Sequence, residues 1–165
     1  MRNLYLLNVT VHVLAALLWV GGMLFLGLVG APVLRRVEPP SLRARLFGDL
    51  GRAFRPVGWG AIGVLLVTGV LNLWFAGVLH GGRLASAAFW STPYGRTLAW
   101  KLVAVAAMLA GSAVHDFVLG PRAGRLDAGS PAALRARSRA AWLARINVAV
   151  ALVVVVAAVR LARGG

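Results

Sequence analysis

Two imidazoles, an ammonium and a carboxylate stand inside stretches of sequence that are otherwise apolar: His12, His115, Lys101 and Asp116. Ionisable groups are expensive in hydrocarbon, so they ordinarily face a bundle interior or a wet path and mark function. Asn8, His12, Trp19 and Met23 follow at offsets of four, seven and four, which places them on one helix face. Lys101, Met108, Ser112 and His115, at seven, four and three, share another. Thr68 and Asn72 lie one turn apart, and Arg145 and Asn147 come early in the last apolar run. A His–Lys pair with no acid nearby is suited to an anion, a quinone oxygen or a metal-bound species. The competing reading is a simply hydrogen-bonded His12 beside a Lys101 that snorkels to the interface.

Depth divides these residues into two groups. At 1.5 Å per residue, His12, Asn72 and Lys101 fall about 6–12 Å to one side of their helix midpoints, and His115 and Asp116 about 9 Å to the other. The two histidines are therefore expected roughly 15 Å apart along the membrane normal, too far to share one metal ion. The outer group, His12, Asn72 and Lys101 with Trp19 and Met23 on the His12 face, is the candidate ligand site, with His12 the candidate metal ligand. The inner group, His115, Asp116, Arg145 and Asn147, reads as structural, with Arg145 reaching the Asp116 carboxylate and locking two helices.

These residues need membrane-spanning helices to hold them. Of the 165 residues, 60% are hydrophobic and 13% charged, against about 45–50% and about 25% in soluble domains. Mean hydropathy is +0.81. Roughly 20 apolar residues cross a bilayer as a helix, and four stretches suffice: about 4–34, 57–79, 98–119 and 140–161. The first is too long for the apolar core of a signal peptide. The expected fold is all-α and integral to the membrane: a single domain over 1–165, a four-helix up-down-up-down bundle. Ala15, Gly22, Gly63, Gly69, Ala104 and Gly111 are the small residues that would let helix backbones approach.

The net charge of +14 sits in the connections. Arg35, Arg36, Arg43, Arg45, Arg52 and Arg55 follow the first span, and Arg122, Arg125, Arg135, Arg137 and Arg139 follow the third. The connection between the second and third offers only Arg83 and Arg96. Arginine excess marks the cytoplasmic side, so both termini are expected outside. Leu42, Leu46, Leu50 and Phe54 recur every four residues between Pro39-Pro40 and Pro56. That pattern predicts a short interfacial amphipathic helix, its arginines on anionic lipid rather than nucleic acid. The segment 120–130 is rich in Gly, Pro and Ser, and Ser130-Pro131 predicts a helix start well ahead of the fourth span. Trp90, Tyr94 and Trp100 suit an aromatic belt at the outer interface.

The run from His12 through Trp19, Gly21 and Gly22 to Phe25 resembles the first helix of the copper resistance protein D (CopD) family. Gly95 to Leu102, with Lys101, and Ala113 to Pro121, with His115-Asp116, are similar to the same family. Arg35-Arg36 after Ala31-Pro32 and the Phe54-Arg55-Pro56 run are similar again. The resemblance covers nearly the whole chain on short, mostly hydrophobic motifs. It implies a bacterial inner-membrane protein of copper homeostasis or uptake. A lesser resemblance, to the membrane protoporphyrinogen oxidase of HemJ type, rests on His12, Trp19 and Lys101-Leu102. It would make His12 a haem ligand, Lys101 a porphyrin-side cation and the protein an oxidoreductase. The chain departs from that pattern where Val33-Leu34 separates Pro32 from Arg35, and where no acid follows Asn147.

Ligand chemistry leaves copper and haem b open. Cu(I) favours sulfur and Cu(II) imidazole. Cysteine is absent, and Met1, Met23 and Met108 form no cluster. An intramembrane histidine also suits axial haem ligation. No hydrolase motif is present, so the reading leans away from an enzyme. A homo-oligomer or an assembly role in a larger membrane complex are the remaining partner readings.

Overall fold

The computed structural model describes residues 1–126 and 130–163, and every element in that range is helical. Four helices are long and apolar enough to cross a membrane: α1 (Arg2–Leu34), α2 (Pro40–Phe75), α4 (Pro93–Gly124) and α5 (Pro131–Ala162). A short helix, α3 (Ala87–Ser91), lies between α2 and α4. Leu28, Val67, Trp100 and Trp142 remain 62–73% exposed. Apolar surface on that scale needs hydrocarbon, not water, around it.

The helix ends show which local signals acted. Ser130 caps α5, its Oγ accepting from the Ala133 amide at 3.2 Å, with Pro131 at the first helical position, as the sequence predicted. The same device starts α4 earlier than expected: Thr92 Oγ1 accepts from the Gly95 amide at 3.0 Å and Pro93 follows it. At the other end of α2 the helix stops at Phe75 rather than Leu79. Gly77 takes φ +69°, and the amides of Gly77 and Val78 donate back to the carbonyls of Trp74 and Leu73. That double bond pattern needs a left-handed residue, for which glycine lacks the steric penalty. The 120–130 connection is helical as far as Gly124; positions 127–129 lie outside the described residues.

Two features depart from the sequence reading. The amphipathic stretch 42–54 is helical, but it is the first part of α2 rather than a separate helix, because α2 runs through Pro56 without a break. A proline inside a helix removes one N–H and strains the preceding turn. Here tertiary packing holds that turn: a Cβ on Gly22 of α1 would collide with the Phe54 ring, and Gly58 lies beside both Phe54 and Trp19. Phe54 therefore packs on α1, while Leu42 and Leu50 stay exposed. Asp49 pairs with Arg45 and Arg52 along the same segment. The second departure is a pair of π-helical turns, Leu26–Gly30 in α1 and Val114–Leu119 in α4.

α1 packs along α2 and α4 along α5, with α1 also touching α5. Asn8 meets Thr68 and Asn72, Trp19 meets Gly58, and Gly22 meets Phe54, so α1 and α2 run antiparallel. The central core is Trp19, Ala61, Ile62, Met108 and Ala151. Of the small residues, Gly22 and Gly111 are true close approaches, Gly111 lying against the Asn147 amide. Gly63 has no neighbour within 4 Å of a built Cβ and is not a contact point.

Candidate functional site

The four-residue spacing of Asn8 and His12 on α1 meets the same spacing of Thr68 and Asn72 on α2. Asn8 Nδ2 donates to the Thr68 carbonyl at 3.0 Å and to Asn72 Oδ1 at 2.9 Å. His12 Nδ1 lies 2.7 Å from Thr68 Oγ1, and that hydroxyl donates to the Val64 carbonyl at 2.6 Å. A threonine hydroxyl has one proton. With that proton given to Val64, Nδ1 of His12 must be the donor and Nε2 keeps its lone pair. Metal-binding histidines are commonly oriented in this way, through a hydrogen bond at the other ring nitrogen. Asn8 and Thr68 are buried, and His12 and Asn72 half-buried. The ring edge of His12 lies against Gly69, where a Cβ would stand 3.7 Å from Cε1.

Lys101, half-buried on α4, lies within electrostatic reach of His12. It forms no ion pair among the described residues. Asn8 and Thr68 join His12 to Asn72 through hydrogen bonds, and Lys101 approaches the imidazole from α4. An open apolar groove of about 330 Å³ between α1 and α2 is lined in part by Asn8 and Thr68.

Trp19 and Met23 share the His12 face but not its depth. Eleven residues of helix separate Met23 from His12, about 16 Å, and its neighbour Gly22 lies against Phe54. Trp19 is 5% exposed in the central core, and Met23 packs against that core. Neither stands beside the imidazole. A common face fixes direction around a helix axis, and only position along the axis fixes proximity.

The inner group also divides. Asn147 donates to Ser112 Oγ at 2.9 Å and to the Met108 carbonyl at 3.2 Å, tying α5 to α4. Arg145 is exposed and makes no ion pair with Asp116. Two positions on a helix are about 200° apart, so with Asn147 turned inward Arg145 turns out. Asp116 finds other partners: Oδ2 accepts from Trp59 Nε1 at 2.9 Å, and Oδ1 lies 2.9 Å from His115 Nδ1. Arg55 is near enough to act on the same carboxylate and stacks over the Phe117 ring at 5.6 Å. Trp59 and Arg55, one turn apart on α2, were legible as such a face but were absent from the expected site.

No group of three or more His, Cys, Asp or Glu side chains that could hold a metal ion occurs among the described residues. A second imidazole for axial ligation is not at hand either. His80 is exposed and lies against Trp74, and His115 belongs to the inner group. The haem reading is not favoured by this arrangement.

The family described as Copper resistance protein D matches over residues 48–161. An uncharacterized protein of Aquifex aeolicus is 30% identical over 165 residues, covering 99% of this chain and 97% of its own. No solved structure matches.

Proposed function

The chain belongs to the copper resistance protein D family and is a multi-pass membrane protein, and from that premise we propose that it handles copper in transit across a bacterial inner membrane. The observation that carries the reading is His12: with Nδ1 committed to Thr68, its Nε2 is the nitrogen offered to a metal. Nitrogen and oxygen donors around it, without thiolate, suit Cu(II) better than Cu(I). One imidazole is a weak site. Transit requires such weakness, since a cargo must leave as readily as it enters.

Lys101 sets the form of the cargo. An ammonium near the imidazole opposes a bare cation and favours copper that carries an anionic ligand, such as chloride. His12 takes the metal and Lys101 the anion. Asn8 and Asn72 hold Thr68 and the α1–α2 contact in register.

The arginine-rich connections support an up-down-up-down order with both termini on the outer side. His12 and Lys101 then stand in the outer half, and His115 and Asp116 in the inner half. Anionic lipid at the cytoplasmic surface is the partner for Arg35, Arg36 and the arginines of 122–139.

The test is copper entry into proteoliposomes loaded with a copper-sensitive dye. Wild type is expected to give chloride-dependent entry, and His12→Ala at least a tenfold slower rate with the fold retained by circular dichroism. Equal rates for the two proteins contradict the reading.

A further inference from the structure

The inner group repeats the outer one in a different set of residues. Asp116 Oδ1 can only accept, so the nitrogen facing it at 2.9 Å, His115 Nδ1, is the donor. His115 Nε2 is thereby the ring nitrogen left for another partner, as at His12. The Asp116 carboxylate is itself fixed by the Trp59 indole at 2.9 Å. A carboxylate that orients an imidazole from behind is the usual outer shell of a metal-binding histidine.

The basic side chain has a counterpart too. Arg55 lies over Phe117, within electrostatic reach of Asp116, and its Nε is buried without a hydrogen-bond partner. A buried N–H without an acceptor is rare enough to call for a reason. An anion accompanying a metal would supply one. His115 and Asp116 lie in the π-helical turn Val114–Leu119 of α4, and such turns recur at functional sites. The side chains of His115 and Asp116 are 37% and 25% exposed, so the imidazole can be reached from outside the packed core.

We propose that His115, oriented by Asp116 and Trp59 and accompanied by Arg55, is a second station for anion-ligated Cu(II), separate from His12. On α2 the two stations are marked by Thr68 and Trp59, nine residues apart, which is about 13 Å of helix rise. Each station offers one imidazole Nε2 and one basic side chain. One cargo therefore fits both, and neither is strong enough to trap it.

This inference rests on the copper reading of His12, and its test separates the two. The exposed His80 is replaced by Ala in every protein, and a purification tag without histidine is used. Copper bound per chain is measured by equilibrium dialysis against Cu(II) chloride in detergent, with the free metal left in equilibrium. The expected values are two for this parent, one for His12→Ala, one for His115→Ala and none for the double variant. Asp116→Asn and Trp59→Phe are expected to retain the fold and weaken the second copper by about tenfold to a hundredfold, the usual effect of losing an orienting partner.

Two coppers in His115→Ala overturn the inner station and leave His12 standing. A loss of thermal stability in His115→Ala with both coppers retained makes the pair a helix clamp and also overturns it. No copper lost in either single variant overturns both readings. If His115→Ala does not fold, unchanged copper affinity in Asp116→Asn and Trp59→Phe decides against the station.

Discussion

Thr68 Oγ1 stands 2.7 Å from Nδ1 of His12 and 2.6 Å from the carbonyl of Val64, so one hydroxyl joins an α1 imidazole to the α2 backbone. The relay fixes which ring nitrogen carries the proton, and with it which nitrogen can bind a metal. It also satisfies polar groups that would otherwise be stranded in hydrocarbon.

Thr68→Val keeps the shape of the side chain and removes the hydroxyl. His12 Nδ1 then loses its partner, at an expected cost of about 1–3 kcal/mol for a buried polar group. Copper affinity is expected to fall tenfold or more. Thr68→Ser restores the oxygen and is expected to recover most of both. Thermal unfolding in detergent and copper titration read the two effects, and a Ser variant as poor as Val contradicts the relay.

Gly111 and Gly63 separate contact from mere smallness. A Cβ at position 111 would strike the Asn147 amide, which is bonded to Ser112 and Met108. Gly111→Ala is expected to destabilise the α4–α5 contact by about 1–3 kcal/mol, as overpacking does. At Gly63 nothing lies within 4 Å, so Gly63→Ala is expected to be neutral or to gain up to about 1 kcal/mol from helix propensity. Denaturation midpoints of the two variants check the pair.

Arg145 and Asp116 are expected to act independently. Arg145→Gln alters an exposed side chain without a partner and should stay within about 0.5 kcal/mol of wild type. Asp116→Ala leaves the Trp59 indole and His115 Nδ1 without their acceptor and is expected to cost about 1–3 kcal/mol. A double-mutant cycle should show no coupling between them. Coupling above about 1 kcal/mol would restore the Asp116–Arg145 pair expected from sequence.

Lys101→Leu tests the form of the cargo. Wild-type copper affinity is expected to be higher in chloride than in nitrate at equal ionic strength. With the inner station removed by His115→Ala, the Leu variant is expected to lose that difference while keeping a copper bound to His12. Anion dependence that survives the substitution would remove Lys101 from the site.

The sequence carried the four spans and the facing stripes, because the cost of polar groups in hydrocarbon leaves few alternatives. It also carried the α5 start, through Ser130 and Pro131. What it hid was set by packing between helices. Pro56 looked like a terminus, and only the seat of Phe54 against Gly22 shows why α2 continues. Trp19 and Met23 shared a face with His12, yet lie about two and three turns further along α1. The opposition of Arg145 and Asn147 was legible from their two-residue spacing. The π turn at His115-Asp116 was not, because it depends on hydrogen bonds that side-chain patterns do not report.

The most direct measurement is electron paramagnetic resonance of Cu(II) bound to the purified protein, with the imidazole nitrogens labelled with ¹⁵N. In a His115→Ala background, which removes the inner station, the account requires coupling to a single histidine nitrogen, lost when His12→Ala is added and kept when His80→Ala is added. A spectrum unchanged by His12→Ala would contradict it.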